Sequence, residues 1–172
     1  AGGIFTLVNG ITTRNRLAKF DLNGNLDATW NPNAAGGGSS VEKLAVSGTN
    51  ILAGGSFTTI GGISRNYLAK LNNTTGAAVN WATANSYVYA MYVDGTTCYA
   101  GGYFTSLTSP VPATITRNYI GGINIANGAI TTFNPSPNSY VYAINKSGTN
   151  LYYGGQFTLV NGTDRKYVAA SN

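Results

Sequence analysis

A six-residue frame recurs four times in this chain: Ala1-Gly2-Gly3-Ile4-Phe5-Thr6, Ala53-Gly54-Gly55-Ser56-Phe57-Thr58, Ala100-Gly101-Gly102-Tyr103-Phe104-Thr105 and Tyr153-Gly154-Gly155-Gln156-Phe157-Thr158. The frames start at residues 1, 53, 100 and 153, so they lie 52, 47 and 53 residues apart. That period marks an array of supersecondary units, each of which buries its apolar side chains against its neighbours.

Lining the units up on the Gly-Gly pair separates short strand candidates by turn residues. In the first complete unit Val41 to Val46 reads as a strand, Ser47-Gly48-Thr49-Asn50 as a hairpin turn, and Ile51 to Thr58 as the second strand. Tyr67 to Leu71 follows, then a turn at Asn72 to Gly76, then Ala77 to Trp81. No window keeps a 3.6-residue apolar period, so helix is not expected. Four antiparallel strands in roughly 50 residues, repeated, predict propeller blades. The expected fold is all-β: a propeller segment of about three and a half four-stranded blades. Blades near 41–81 and 87–133 are complete, and those near 1–30 and 140–172 are partial.

The aligned columns state how the blades should pack. Phe5, Phe57, Phe104 and Phe157 coincide, as do Val8, Ile60, Leu107 and Val160, and Trp30, Trp81 and Phe133. These are apolar wedges between sheets. Gly54 and Gly55, like Gly101 and Gly102, remove side chains where a neighbouring backbone or ring must come close. The strand count is 14, which leaves open edges that invite pairing. Either more polypeptide or a second copy is expected to complete a larger ring, two copies giving 28 strands or seven blades' worth. The sequence starts and stops in mid-pattern and reads as a piece of a longer chain.

Charge is thin: ten Lys and Arg against five Asp and Glu, 9% of the chain, where soluble proteins carry about 25%. Asn, Thr, Ser, Gly and Tyr supply the polarity instead, a composition that suits an extracellular hydrogen-bonding surface. The basic residues are spread one or two per unit, so no nucleic-acid footprint is expected, and no apolar run approaches the ~20 residues of a membrane span. Cys98 aligns with Ile51 and Leu151 and reads as a core residue. With no histidine in the chain, Ser-His-Asp chemistry and His-ligated zinc are both unavailable. Asp21-x-Asn23-x-Asn25-x-Asp27 imitates a calcium loop, yet Gly24 is misplaced and Pro32 stands where a bidentate Glu belongs; the segment reads as a turn. The five acids form no cross-strand pair for glycoside hydrolysis. No cofactor, metal or catalytic residue is expected in this segment.

Three features could carry recognition. Arg14, Arg65, Arg117 and Arg165 recur before each third strand and read as ties from a guanidinium to loop carbonyls. The segment Ser106 to Thr116 is longer than its counterparts: Thr105 and Arg117 are 12 residues apart, against 7 or 8 elsewhere. It carries Ser109, Pro110, Val111 and Pro112, a stiff loop of the kind that holds binding residues. Tyrosines gather at Tyr87, Tyr89, Tyr92, Tyr140 and Tyr142, with Tyr99, Tyr103, Tyr152 and Tyr153 nearby. A ring with a hydroxyl suits sugar stacking as well as half-buried packing. Asn72, Asn73, Asn145 and Asn161 head N-glycosylation sequons.

The first unit reads Gly2-Gly3-Ile4-Phe5-Thr6, Asn9-Gly10, Arg14, Leu17-Ala18-Lys19-Phe20-Asp21 and Trp30-Asn31-Pro32. This order resembles the bacterial propeller repeats called delta-60 repeats, and the strand-Gly-Gly-strand-Trp layout is similar to kelch repeats. The third unit departs, with Gly121-Gly122-Ile123 in place of Ala-Lys-Phe or Ala-Lys-Leu. The resemblance implies a propeller belonging to a secreted or surface-anchored bacterial protein. The expected role is a non-catalytic binding or adhesion scaffold for glycan or protein. The alternatives are a structural part of a large surface or secretion-related assembly, or part of a secreted hydrolase whose catalytic residues lie elsewhere.

Overall fold

Glycine, asparagine and threonine interrupt the chain every few residues, which keeps strands short and forces them into hairpins. A computed structural model describes residues 1–111 and 113–172, and these form strands and no helix. In chain order the strands are β1 (Leu7–Val8), β2 (Thr12–Thr13), β3 (Val41–Ser47), β4 (Asn50–Gly55), β5 (Thr59–Ile60), β6 (Ile63–Ser64), β7 (Leu68–Asn72), β8 (Thr83–Ala84), β9 (Val88–Asp94), β10 (Thr97–Gly102), β11 (Ser106–Ser109), β12 (Ala113–Thr116), β13 (Ile120–Asn124), β14 (Val141–Ser147), β15 (Asn150–Gly155), β16 (Leu159–Val160), β17 (Thr163–Asp164) and β18 (Val168–Ser171).

Three blades are antiparallel sheets ordered β3-β4-β7, β9-β10-β13 and β14-β15-β18. A fourth lies at the start of the chain, where Gly2 bridges Leu17 and Phe20 bridges Leu26. The first strands of successive blades lie side by side, β9 against β3 and β14. They are the innermost strands of a partial β-propeller.

Two expectations need correcting. The fourth strand of the first three blades shrinks to one bridge, Phe20 to Leu26, Leu71 to Ala78 and Ile123 to Ile130. The reason is local: Arg65 Nε donates to Val79 O at 3.2 Å and Arg117 Nη2 to Thr131 O at 2.5 Å, so a guanidinium takes the carbonyl that a longer ladder would use. The count of 14 strands also omits the two-residue hairpins β1–β2, β5–β6 and β16–β17 that follow each second strand, and it leaves 106–116 as a loop. That segment is the longest of these hairpins, ordered β12-β11-β8. The hairpins run along the outer rim of the blades. Gly61 N donates to Pro32 O at 2.6 Å and Ala78 N to Gly61 O at 3.1 Å.

Stacking uses the first glycine of each pair. A methyl group on Gly2 would sit 2.8 Å from Val41 Cγ1, on Gly54 2.6 Å from Val88 Cγ1, and on Gly101 2.7 Å from Val141 Cγ1. Leu44, Met91 and Ile144 close the same three contacts. On Gly154 the nearest atom would be Tyr167 O of the same blade, at 3.4 Å. The core therefore lies between blades, in three clusters around Phe57 with Trp30, Phe104 with Trp81, and Phe157 with Tyr153. Each buried ring of this kind contributes roughly 1.5–3 kcal/mol relative to exposure.

Polar ties cross the first two interfaces in the same way. Trp30 Nε1 donates to Asn72 O at 3.2 Å and Trp81 Nε1 to Asn124 O at 3.0 Å. Lys19 Nζ donates to Asn73 O at 3.1 Å, and Lys70 Nζ to Ile125 O at 2.8 Å. At the third interface Phe133 and Gly122 occupy these two positions, and a Lys146–Asp94 ion pair crosses instead.

Candidate functional site

One end of the blades is where each innermost strand begins, each second strand ends and each third strand begins. The pairing register slips there in all three of the three-stranded blade sheets. Val41 pairs Gly55 but Lys43 pairs Gly54; Val88 pairs Gly102 but Ala90 pairs Gly101; Val141 pairs Gly155 but Ala143 pairs Gly154. The skipped residues, Glu42, Tyr89 and Tyr142, are the extra residues of β-bulges, a device that re-aims a side chain out of the sheet. The strand entry is pinned on the other side by Ser56 N to Ser40 O, Tyr103 N to Tyr87 O and Gln156 N to Tyr140 O, at 3.1, 2.8 and 2.9 Å. A side chain on Gly55, Gly102 or Gly155 would run into that same carbonyl.

The third strands are entered through residues with positive φ: Arg16 at 66°, Tyr67 at 62°, Tyr119 at 63° and Tyr167 at 69°. For a bulky residue this conformation costs of order 1–3 kcal/mol and needs its surroundings to hold it. Here Tyr67 N donates to Phe57 O and Gly55 N to Tyr67 O, and Tyr119 repeats this with Phe104 and Gly102. The turn carries each ring toward the next blade, where Tyr67 meets Tyr87 at 5.5 Å between centroids and Tyr119 meets Tyr140 at 5.8 Å. Arg16 makes the same reach in the first blade, Nε to Ser39 O at 2.7 Å.

These devices join seven tyrosines into one contact chain. Tyr67 touches Tyr87, Tyr87 touches Tyr89 at 6.2 Å, and Tyr89 crosses to Tyr142 at 5.4 Å. Tyr142 touches Tyr140 at 6.3 Å, and Tyr140 touches Tyr103 at 4.3 Å as well as Tyr119. Tyr103 and Tyr142 are 42% and 45% exposed, and the other five are half-buried. Burial, then Tyr142, Tyr87 and Glu42, push the Tyr89 phenol up. A hydrogen bond with Tyr103 and the neighbouring phenols push Tyr140 up to about 12. At neutral pH both phenols keep their protons and can donate as well as accept.

Of the residues singled out from the sequence, Tyr87 and Tyr140 lie in this chain, two bulges apart. Ser109, Pro110 and Val111 do not join them. They lie at the tip of the rim hairpin, where Pro110 Cδ packs against Gly128 on the turn after the third strand. Pro112 lies outside the described residues. Gly54, Gly55, Gly101 and Gly102 occupy the close approaches given above. Phe57, Phe104 and Trp81 are buried in the interblade core, and Phe133 is half-buried against Tyr99. Arg65 and Arg117 hold the fourth-strand carbonyls. Tyr67, Tyr119 and Glu42 entered no sequence-based site. The available signal was the column Arg65-Asn66-Tyr67, Arg117-Asn118-Tyr119, Arg165-Lys166-Tyr167.

Reactive chemistry is sparse. Cys98 is fully buried, which pushes its thiol up to about 12. Asp21 accepts from Asn23 N and Asn25 N at 2.9 and 2.8 Å, closing a turn on itself. Asp27 is held by Thr29, Trp30 and Lys19. Among the described residues no three His, Cys, Asp or Glu side chains gather to hold a metal.

Residues 1–29 and 50–77 match the family model described as a domain of unknown function (DUF5122) beta-propeller. No curated protein matches the sequence. Among solved structures, the computationally designed Ika4 protein is similar with a TM-score of 0.52 at 14% identity, over 77% of this chain and 66% of that one. The designed Ika8 protein is similar with a TM-score of 0.52 at 16% identity, over 83% of this chain and 39% of that one. The chain thus spans less than two thirds of either structure, and likeness at these identities is one of fold.

Proposed function

We propose that this segment is a non-catalytic binding scaffold of an extracellular or bacterial cell-surface protein, and that the tyrosine face recognises a neutral glycan. The observation that carries the reading is the unbroken chain of seven rings, joined by six contacts across three blades and built from two bulges and two left-handed tyrosines. Rings with protonated hydroxyl tips offer apolar faces to the C–H side of a pyranose and hydrogen bonds to its rim. Glu42 adds a carboxylate beside Tyr89, and the low charge of the chain keeps non-specific attraction weak. The delta-60-like and kelch-like layout of the repeats supports the placement outside the cell, as part of a secreted or adhesive protein.

A glycan array probed with the wild-type chain and with Tyr89→Ala and Tyr142→Ala tests it. Binding to neutral glycans that falls at least roughly tenfold in both variants is expected, the weight of one stacked ring. Wild-type binding that survives both changes refutes the reading. Failure of every arrayed sugar favours a structural role.

A further inference from the structure

Among the described residues the closest pair of aromatic rings joins two blades. Tyr103, just past β10 in the third blade, meets Tyr140, just before β14 in the fourth, with centroids 4.3 Å apart and planes at 72°. The other tyrosine contacts between blades are longer, at 5.4, 5.5 and 5.8 Å. The fold accepts serine at both places: in the second unit Ser56 stands in the column of Tyr103 and Ser40 in that of Tyr140, and the two bond each other. Both tyrosine backbones are nevertheless held, Tyr103 N donating to Tyr87 O at 2.8 Å and Tyr140 O accepting from Gln156 N at 2.9 Å. Tyr103 is 42% exposed, so a reagent in solution reaches its ring and the ring has room to turn.

The same interface lacks two ties. Phe133 has no N–H where Trp30 and Trp81 donate to the next blade, and Gly122 has no side chain where Lys19 and Lys70 do. Cys98 is buried and is the single cysteine, so no disulfide within the chain can staple the blades.

We propose that Tyr103 and Tyr140 are a modification site, where oxidation forms a dityrosine bond that fastens the third blade to the fourth. The oxidant is hydrogen peroxide acting through a peroxidase. Each phenol gives up one electron and its hydroxyl proton, and the two phenoxyl radicals join through the ring carbons beside the oxygens. The hydrogen on each joined carbon then moves to its oxygen, which restores both phenols. The pair has lost two hydrogen atoms, and one peroxide has become two waters. An edge-to-face contact sets the edge of one ring, where those carbons lie, against the other ring. Rotation of the exposed Tyr103 ring brings the two carbons together while the pinned backbones stay in place. Tyr119 and Tyr142, at 5.8 and 6.3 Å from Tyr140, are the competing partners.

The test treats the dilute chain with a peroxidase and hydrogen peroxide. The expected product keeps the monomer's mobility under denaturing conditions, shows dityrosine fluorescence, and yields on digestion a Tyr103–Tyr140 peptide pair lighter by two hydrogen atoms. Tyr103→Phe and Tyr140→Phe keep the ring, lose the hydroxyl and should abolish that product, whereas Tyr67→Phe should leave it. Treatment should raise the urea midpoint of the wild type, since a cross-link restricts the unfolded chain, and leave that of Tyr103→Phe unchanged. The proposal is overturned if the cross-links join separate chains only, if the monomeric cross-link maps to another pair, or if the product survives both substitutions. No glycan enters these readouts, so an array without a hit would sink the proposed function and leave the cross-link standing.

Discussion

The same glycine in four sister units should tolerate a methyl group in one unit and reject it in three. Gly2, Gly54, Gly101 and Gly154 all lie outside the left-handed region, so alanine is compatible with the backbone at each, and only the neighbours differ. At Gly101 the new methyl would lie 2.7 Å from Val141 Cγ1 and 3.0 Å from Ile144 Cδ1, both on an innermost strand held by its own sheet. Forcing a methyl into such a contact costs about 1–3 kcal/mol. The lower entropy of the unfolded chain offsets about 0.4–1 kcal/mol. The net loss is about 1–2 kcal/mol, or roughly 2–8 °C in Tm for a chain of this size. At Gly154 the nearest atom is Tyr167 O at 3.4 Å, an ordinary contact, and only the entropic gain of about 0.4–1 kcal/mol remains. Urea and thermal unfolding of Gly101→Ala, Gly54→Ala and Gly154→Ala would read the contrast directly. Equal shifts for Gly101→Ala and Gly154→Ala would refute the radial stacking of one blade's glycine against the next blade's valine.

Trp81→Phe should lose about 1–2 kcal/mol, because it gives up the bond to Asn124 O and part of a buried ring; unchanged urea midpoints would contradict the tie. Hydrogen bonds from Trp30 N and Thr29, with Lys19 beside it, hold Asp27 well below the usual carboxylate range. Its contribution is thus present above the unfolded value of about 4 and lost as pH falls below it. Asp27→Asn should flatten that acid limb in a urea-midpoint series, and an unaltered limb would show that another group controls it. Asp94 raises Lys146, so this pair contributes below the unfolded lysine value of about 10.4 and fades as pH rises through the higher folded one; Asp94→Asn should remove that alkaline loss. Native Cys98 should resist a thiol reagent at pH 8 and react only on unfolding, and prompt native labelling would contradict its burial.

Period and columns made the blade readable from the chain, because both follow from side-chain chemistry repeated at fixed spacing. Gly-Gly, Phe57 and Trp81 sit where the alignment put them, between sheets. The rim hairpins were not legible for the opposite reason. A two-residue strand such as Thr59–Ile60 has no periodicity to detect, and its pairing with Ile63–Ser64 depends on a Gly61-Gly62 turn that also reads as plain loop. Bulges are equally silent: Glu42, Tyr89 and Tyr142 stand in ordinary strand sequence, and only the register against Gly54, Gly101 and Gly154 reveals them. The left-handed tyrosines contradict local propensity, so no turn rule would place Tyr67 or Tyr119 at positive φ. Two backbone hydrogen bonds made by each one, set by the neighbouring strand, override it.

Repetition also separates scaffold from recognition within a single column. A position filled alike in every unit, such as Phe57, Phe104 and Phe157, answers a demand that every interface makes, and its chemistry says little about ligands. A position held in the same backbone geometry but filled differently is free of that demand. The bulge column is Glu42, Tyr89 and Tyr142, and the strand-entry column is Ser40, Tyr87 and Tyr140. Their shared bulges and carbonyl contacts show that the backbone does not need tyrosine there. The tyrosines are therefore surplus to the architecture, and they coincide on adjacent blades where their rings touch. The Trp-to-Phe133 and Lys-to-Gly122 changes obey the same logic in reverse, since they remove ties that the first two interfaces keep.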